Sequence, residues 1–191
     1  MARINFPDLT QLSDSTLELI AGRPIINVLR MFAHSEPLLP VVAQQGATQF
    51  GLLSLTPRHR ELIILAAAAA LEAPYIWDQH VSISEHCGIN DEQRKAIRTE
   101  AQWANANAPF AEPDKAVLKF AFAALEGSTV ADTDFAMLSR HLSERQIVEA
   151  VTVLGYYFTI ARMTTILEIE IDAPGDQTVL DAGLKFVGVR S

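Results

Sequence analysis

Ten consecutive apolar residues, Leu62–Leu71, follow directly after a strong helix start at Thr56 and Pro57. Threonine is a favoured N-cap residue, and proline is well suited to the first helical position. The run is about half as long as a membrane-spanning helix requires. Because it leaves the helix no polar face, we expect this helix to be buried on all sides.

The rest of the chain also has the pattern of helices. Glycine, proline and polar caps separate the apolar segments, and no stretch alternates apolar and polar residues for long enough to indicate a sheet. We therefore predict an all-α fold, a helical bundle. The expected helices cover residues 13–21, 25–32, 36–50, 57–72, 75–87, 90–101, 114–126, 132–141 and 143–167.

Length and loop spacing predict a single domain over residues 1–191. A chain of 191 residues is long enough to bury its own core without disulfides or metals. The loop at 104–113 is the only plausible internal hinge, and it is too short to separate two domains. The tail from Asp172 contains one proline and three glycines, so we expect an arm packed on a neighbouring subunit or a frayed end.

The composition excludes several classes of protein. Hydrophobic residues make up 49% and charged residues 20%, which is typical of a folded chain. The net charge of -8, without any Lys/Arg-rich run, argues against nucleic-acid binding. The single cysteine suits a reducing compartment, and the N-terminal segment MARINFPDLT lacks a signal-peptide pattern. We therefore expect a cytoplasmic protein with no nucleic-acid or membrane partner.

Glu61 stands one residue before the apolar run and is the first candidate for chemistry. If its side chain points inward, its charge must be paired or its pKa raised. The plainer alternative is a first-turn carboxylate that interacts with the helix dipole, or with Arg58 and Arg60, in water. The spacing alone favours this alternative, because acidic residues are common in first turns.

His80 is the second candidate, at the end of the segment EAPYIWDQH. Trp77 and Ile76 lie three and four residues before it, so His80 shares a helix face with apolar groups. Such surroundings tend to lower the pKa of a histidine and keep it usable as a base near neutral pH. The alternative is an aromatic helix start that packs in the core, with His80 merely hydrogen-bonded.

The spacing does not show that Glu61 and His80 meet. Measured along the helices to a corner near Ala73, Glu61 lies about 18 Å before the corner and His80 about 10 Å after it. A strictly antiparallel helix pair would leave the two side chains offset. A crossing of the helices, or an unwound stretch through Pro74, would be needed to bring them together.

Other kinds of site are weakly indicated. His80 and His86 are six residues apart and point to different faces, so we expect no metal site. Cys87 lies about 10 Å along the helix axis from His80, too far for a Cys–His pair. The sequence has no glycine-rich phosphate loop, and we expect no cofactor.

Six segments in a fixed order resemble the carboxymuconolactone decarboxylase family, which includes alkyl hydroperoxidase D. Each piece alone is weak, but their order and spacing together are quite specific. The resemblance covers roughly residues 25–168, three quarters of the chain. The segments are NVLRMFAHSEPLLP, LTPRHRELIIL, YIWDQH, CGIN, LSERQIVEAV and GYYFTIAR.

The resemblance implies an alkyl hydroperoxidase D-like helical bundle that forms homo-oligomers, commonly trimers or hexamers. It matches Glu61 to the glutamate of the family's helix and His80 to the histidine that ends its motif. In the peroxidase branch these two residues form a proton relay to a CxxC pair. Here Ala73 and Ile76 occupy the cysteine positions. Because thiol peroxidase chemistry needs an attacking and a resolving thiol, hydroperoxide reductase activity is disfavoured.

The function that the resemblance implies is cofactor-independent decarboxylation of a lactone acid similar to 4-carboxymuconolactone. His80 would give and take the proton, Glu61 would orient it, and Tyr75 would donate to an oxyanion. The substrate site would be formed by Trp77, Ile76, Arg58 and Arg162. In many decarboxylase-like members an acid occupies the position of Ile76.

Two alternatives remain open at this point. One is a non-enzymatic helical oligomer that keeps the pocket and binds a small apolar or acidic ligand. The other is a different acid–base reaction on a related lactone or enol. Loss of turnover on substitution of His80 is expected for an enzyme, whereas ligand affinity that survives this substitution is expected for a binding protein.

Overall fold

The computed structural model describes residues 1–20, 26–99, 102–105 and 107–172. Within these ranges all regular structure is helical, so the predicted all-α class is confirmed. Two short 3-10 helices, Leu9–Gln11 and Gln102–Ala104, accompany the α-helices. The α-helices of this part of the chain are α1 (Asp14–Ile20), α2 (Asn27–Phe32), α3 (Leu39–Gly51), α4 (Pro57–Ala70), α5 (Pro74–His86), α6 (Asp91–Arg98), α7 (Glu112–Glu126), α8 (Asp132–Ser139) and α9 (Glu144–Ile166).

Capping residues are found at several helix ends, and the predicted start at Thr56 and Pro57 is one of them. The Thr56 hydroxyl accepts a hydrogen bond from the backbone N–H of His59, and Pro57 is the first residue of α4. Asn90 and Gln93 form a reciprocal capping box at the start of α6. Gly88 follows α5 with a φ of +76°, a left-handed conformation that suits glycine.

Several helix boundaries differ from the prediction. The sixth helix ends at Arg98 rather than near residue 101, the eighth ends at Ser139 rather than near residue 141, and the seventh begins at Glu112 rather than at residue 114. The third helix begins at Leu39 rather than Glu36, because residues 36–38 first form a turn, closed by a hydrogen bond from the backbone N–H of Leu38. The fourth ends at Ala70 rather than near Glu72, which lies in a turn with a φ of +50°. The predicted start of the second helix at Ile25 and the tail beyond Asp172 lie outside the described residues.

Helix α4 is buried along most of its length. The side chains from Leu62 to Ala67 are each 0% exposed, so the expected burial on all sides is confirmed for this part of the helix. It does not extend to the end of the apolar run, since Ala69 is half-buried and Ala70 is exposed. The helix packs against α5, α6 and α7. Helix α7 also contributes small apolar residues to the core, such as Ala116, Val117 and Ala121, which are 0% exposed.

The chain divides into two compact units. One comprises Met1–Leu53 with Met163–Ser191, and the other comprises Ser54–Arg162. The second unit contains α4 to α8 and most of α9, together with all the residues singled out for chemistry in the sequence. The single-domain organisation stays a prediction. None of the described helices is both long enough and apolar enough to cross a membrane.

The first unit is held together by polar contacts near its chain ends. Arg3 pairs with Glu168 at 2.9 Å, and the backbone N–H of Asn27 donates to the Asp172 carboxylate at 2.8 Å. The Glu36 carboxylate accepts hydrogen bonds from Ser13 and Thr16 at the start of α1, and these bonds lower its pKa. These three residues line a surface cavity of about 570 Å³.

Candidate active site

Glu61 and His80 lie in direct contact inside the second unit. The Nδ1 atom of His80 is 2.8 Å from Oε2 of Glu61. The other carboxylate oxygen, Oε1, accepts a hydrogen bond from Nε of Arg60 at 3.0 Å. The exposed fractions of Glu61, His80 and Arg60 are 0%, 3% and 4%. The three side chains therefore form one buried charged group.

The turn between α4 and α5 explains how the two residues meet. Since α4 ends at Ala70 and α5 begins at Pro74, residues 71–73 add no helical rise. Glu61 then lies about 13 Å from the end of its helix, and His80 lies about 9 Å from the start of the next. The remaining offset of about 4 Å is within the reach of two long side chains.

The solvent-exposed alternative that the spacing favoured for Glu61 is wrong. Arg60 is a partner of the carboxylate, as that alternative allowed, but both side chains are removed from water. A buried carboxylate is costly unless it is paired and hydrogen-bonded. Here the guanidinium of Arg60 and the imidazole of His80 each bind one oxygen, so the burial cost is offset on both sides.

Tyr157 of α9 is a site residue that sequence reasoning missed. Its ring lies perpendicular to the His80 ring, with 5.1 Å between the centroids, and its side chain is buried. Burial, and secondly the charge of Glu61, raise the pKa of Tyr157 well above its ordinary value. Its hydroxyl therefore stays protonated at neutral pH and can act as a hydrogen-bond donor. The one available signal was its place on the apolar face of α9, at helical spacing from Val153 and Ile160.

The aromatic segment YIW at the start of α5 lies about one turn before His80 on the same helix. Tyr75 and Ile76 are buried, with exposed fractions of 3% and 1%. Trp77 is half-buried, and the guanidinium of Arg98 lies 5.1 Å from its ring. Ala73, at the other position where the peroxidase branch has cysteine, is 1% exposed. The two positions of the CxxC pair are thus filled by buried apolar side chains.

The two arginines that were candidates for substrate binding have other contacts. The Arg58 guanidinium binds the Asp114 carboxylate, with Nη2 at 2.8 Å, and also binds the carbonyl oxygen of Gly88. Arg162 lies over the ring of Phe158 at 5.5 Å. Both of these α9 residues are on the exposed face of the helix, opposite the buried face that carries Tyr157.

The described residues contain no group of three or more His, Cys, Asp or Glu side chains that could hold a metal ion. Cys87 is half-buried just after α5. Burial, and secondly the charge of Glu61, raise the pKa of its thiol. The acid–base groups that the structure brings together at the site are the imidazole of His80 and the carboxylate of Glu61.

The comparisons with known proteins agree with the expected resemblance. Residues 46–112 match the model of the carboxymuconolactone decarboxylase family. This segment includes α4, α5 and α6, and with them both Glu61 and His80. No curated protein matches the chain.

Three solved structures have the same helical fold. A peroxidase-related protein from Silicibacter sp. TM1040 is 18% identical over 93% of this chain and 95% of its own, with a TM-score of 0.76. A peroxidase-related protein from Ralstonia eutropha JMP134, described as an alkylhydroperoxidase AhpD core, is 21% identical over 96% of each chain, with a TM-score of 0.74. The debrominase Bmp8, in complex with 2,3,4-tribromopyrrole, is 16% identical over 95% of this chain and 98% of its own, with a TM-score of 0.70.

Proposed function

We propose that this chain, a carboxymuconolactone decarboxylase-like protein with an alkyl hydroperoxidase D-like fold, is a cofactor-independent lyase. Its substrate would be a lactone acid similar to 4-carboxymuconolactone, which loses CO2. The observation that carries the proposal is the 2.8 Å contact between His80 and the buried carboxylate of Glu61. A histidine oriented by a buried carboxylate is a recurrent arrangement for proton transfer.

The carboxylate determines which nitrogen of His80 handles the substrate proton. An ionised carboxylate can only accept hydrogen bonds, so Nδ1 of the imidazole is the donor to Glu61. Proton exchange with the substrate then belongs to Nε2. Because Arg60 already supplies a positive charge to Glu61, the histidine need not be protonated to balance the buried carboxylate.

The reaction requires one bond to break and one proton to be delivered. The bond between the substrate carbon and its carboxylate breaks, CO2 leaves, and the electron pair is delocalised onto the lactone carbonyl. The protonated imidazole of His80 gives its Nε2 proton to carbon and recovers a proton from solvent. In this proposal the hydroxyl of Tyr75 donates to the developing oxyanion. The net reaction consumes one proton and needs no oxidant.

Apolar side chains would favour the loss of CO2 by stripping water from the carboxylate. Ile76 is almost completely buried next to the catalytic pair, and Trp77 offers a half-buried aromatic surface. Removing water from a charged leaving group and replacing it with fixed protein groups lowers the barrier to its departure. Because Arg58 is bound to Asp114, the proposal assigns it to helix packing and leaves it out of the substrate site.

The test is the loss of the lactone chromophore when the purified protein meets 4-carboxymuconolactone. We expect turnover by the wild type and a fall of about 10²–10⁴-fold in kcat for His80→Gln, since that is the usual contribution of a general acid–base group. His86→Gln is the matched control, because His86 is exposed on the same helix. Circular dichroism of both variants checks that each is folded.

Absence of turnover by the wild type contradicts the decarboxylase proposal and leaves the fold assignment untouched. In that case, binding of the lactone measured by calorimetry distinguishes the remaining alternatives. Affinity that persists in His80→Gln would favour a ligand-binding protein. A fall of equal size in His86→Gln and His80→Gln would show that the His80 contact is not what carries the activity.

A further inference from the structure

Helix α9 has apolar residues on two opposite faces. On one face the side chains are between 0% and 5% exposed. On the other, Val148, Val151 and Phe158 are 66%, 54% and 44% exposed. A helix that is apolar all round is normally buried all round. Within the described ranges of one chain, the face formed by Ala150, Val153, Tyr157, Ile160 and Ala161 is the one that is buried.

The exposed face has the spacing of a coiled-coil seam. Its residues are spaced alternately four and three apart along the chain. This is the spacing of the a and d positions in a heptad repeat. A Cβ placed on the glycine in its middle would meet no atom within 4 Å, so the surface has a gap there. We call this face the α9 seam. It consists of Glu144, Val148, Val151, Gly155, Phe158 and Arg162, all of them exposed.

We propose that the α9 seam binds the α9 seam of a second copy of this chain, with the two helices antiparallel. A two-fold axis at the level of residue 153 brings each seam residue opposite a complementary one. Val148 then faces the partner's Phe158, and Val151 faces the gap at the partner's Gly155. Glu144 faces the partner's Arg162, so that each end of the seam carries a pair of opposite charges.

Complementarity of charge and shape selects this occupant and this direction. A parallel pair would place Glu144 against its own copy, Arg162 against its own copy, and the two glycines against each other over a void. Like charges in contact repel, and an unfilled gap loses packing contacts. The antiparallel register avoids all three defects at once. To bind the α9 seam equally well, a different protein would need a surface with the same features in the same order: a negative charge, an apolar residue, a gap and a positive charge.

The size of the seam bears on the strength of association. From Glu144 to Arg162 the helix is about 27 Å long, and one helix face of this length is smaller than a standard stable interface. We therefore expect the association to depend on protein concentration in the accessible range. The proposal is independent of the decarboxylase activity, because it uses only the outer face of α9.

Charge reversal tests the register. Sedimentation velocity over a range of concentrations gives the dissociation constant of the wild type and of three variants. We expect Glu144→Arg and Arg162→Glu each to weaken association by about tenfold or more, and the double variant to recover most of the loss. Arg140→Glu changes the charge by the same amount on an exposed residue outside the seam, and we expect it to associate as the wild type does.

Recovery in the double variant is specific to the proposed arrangement, since a parallel pair keeps like charges together in every variant. Single variants that weaken association without recovery overturn the register. Single variants that associate as the wild type does, or a wild type that stays monomeric at all concentrations, overturn the proposal as a whole.

A substitution at Gly155 separates the interface from the stability of the monomer. Gly155→Gln places a side chain in the open space of the single chain and removes a glycine from the middle of a helix, so we expect a higher Tm. The same side chain fills the gap that Val151 of the second copy would occupy, so association should fall by about tenfold or more. A higher Tm with unchanged association would contradict the proposal.

Discussion

Glu61 carries two tasks with one carboxylate. Its Oε1 atom neutralises the buried Arg60, and its Oε2 atom orients His80. The first task concerns the free energy of folding and the second concerns the chemistry that we propose. A substitution at Glu61 should therefore affect stability and activity together, which is not expected of an exposed first-turn carboxylate.

We predict that Glu61→Gln lowers the free energy of unfolding by about 3 kcal/mol, because it removes the negative charge that lies against the buried Arg60. Decarboxylase turnover should fall as well, since a neutral amide in place of the carboxylate would not fix Nδ1 of His80 as a donor. Urea denaturation and the lactone assay measure the two effects. The control is Glu85→Gln, an exposed residue of α5, for which a change within about 0.5 kcal/mol is expected.

His59 illustrates a second effect of burial on a single residue. Its side chain is 13% exposed, and Nε2 lies 3.6 Å from the Asp114 carboxylate. In the described part of the chain its Nδ1 atom is buried and has no hydrogen-bond partner. Burial lowers the pKa of His59; the charge of Asp114 opposes this effect, while Arg58 and His141 reinforce it.

We predict that stability falls as the pH drops below 6.5, in part because of His59. Near its ordinary pKa of 6.5 the unfolded chain binds a proton at this residue, whereas the folded chain does so only at lower pH. As the pH falls, His59 therefore binds a proton in the unfolded state before it does so in the folded state. The stability that this residue contributes is lost over the same interval, and the loss is complete once the pH is below the pKa of His59 in the folded state. His59→Gln should lose less unfolding free energy than the wild type between pH 7.5 and 5.5. Equal losses in denaturation curves of the two proteins would contradict this prediction.

Between elements, Arg58 joins the start of α4 to the start of α7. Its guanidinium, 28% exposed, binds the nearly buried Asp114 through Nε and Nη2. A third nitrogen binds the carbonyl oxygen of Gly88, in the turn that follows α5. One side chain thus fixes the relative position of three segments around the helix that carries Glu61.

We expect Asp114→Asn to cost about 2–3 kcal/mol of unfolding free energy, because a charge-assisted bidentate contact is lost in a partly buried place. Glu112→Gln is the matched control in the first turn of the same helix. Its partner is Lys115 and its side chain is 74% exposed, so the cost should be below about 0.5 kcal/mol. Similar costs for both variants in urea denaturation would show that Arg58 does not hold the elements together.

The helices could be predicted from residues that are close in sequence, but the contacts between side chains of different helices could not. Thr56 and Pro57 marked the start of α4 correctly, because capping depends on residues that are close in sequence. The contact between Glu61 and His80 depended on where α4 stops, and Glu72 gives no sign in the sequence that it takes a positive φ. A shift of two residues there changes the offset between the two side chains by about 3 Å.

Tyr157 and Arg60 show the same limit within the candidate site. The sequence offers Arg60 and Glu61 as neighbours, but their burial results from packing by helices that come later in the chain. Tyr157 lies on a helix far along the sequence, and its ring reaches His80 because α9 folds back onto α5 within the second unit. Contacts between residues distant in sequence carry no periodic signal, so a single sequence does not predict them.

The whole chain contains a single cysteine, Cys87, and therefore one thiol that an oxidant could attack. Burial and the charge of Glu61 raise the pKa of Cys87, so little thiolate is present at neutral pH. We predict that the wild type consumes hydroperoxide in the presence of dithiothreitol no faster than Cys87→Ser does. Ellman's reagent should find one thiol per chain, and it should react more slowly with the folded chain than with the urea-unfolded chain. Faster peroxide consumption by the wild type would contradict this prediction.

The burial of α4 determines how the second unit exchanges its amide hydrogens. Because the side chains from Leu62 to Ala67 are 0% exposed and the helix contacts α5, α6 and α7, no local opening frees its amides. In α8, Leu138 is the one buried residue, so deuterium should enter this helix through small openings. Deuterium uptake in α4 would then follow the complete unfolding of Ser54–Arg162. We therefore expect the helix that carries Glu61 to exchange its amide hydrogens more slowly than the rest of the unit.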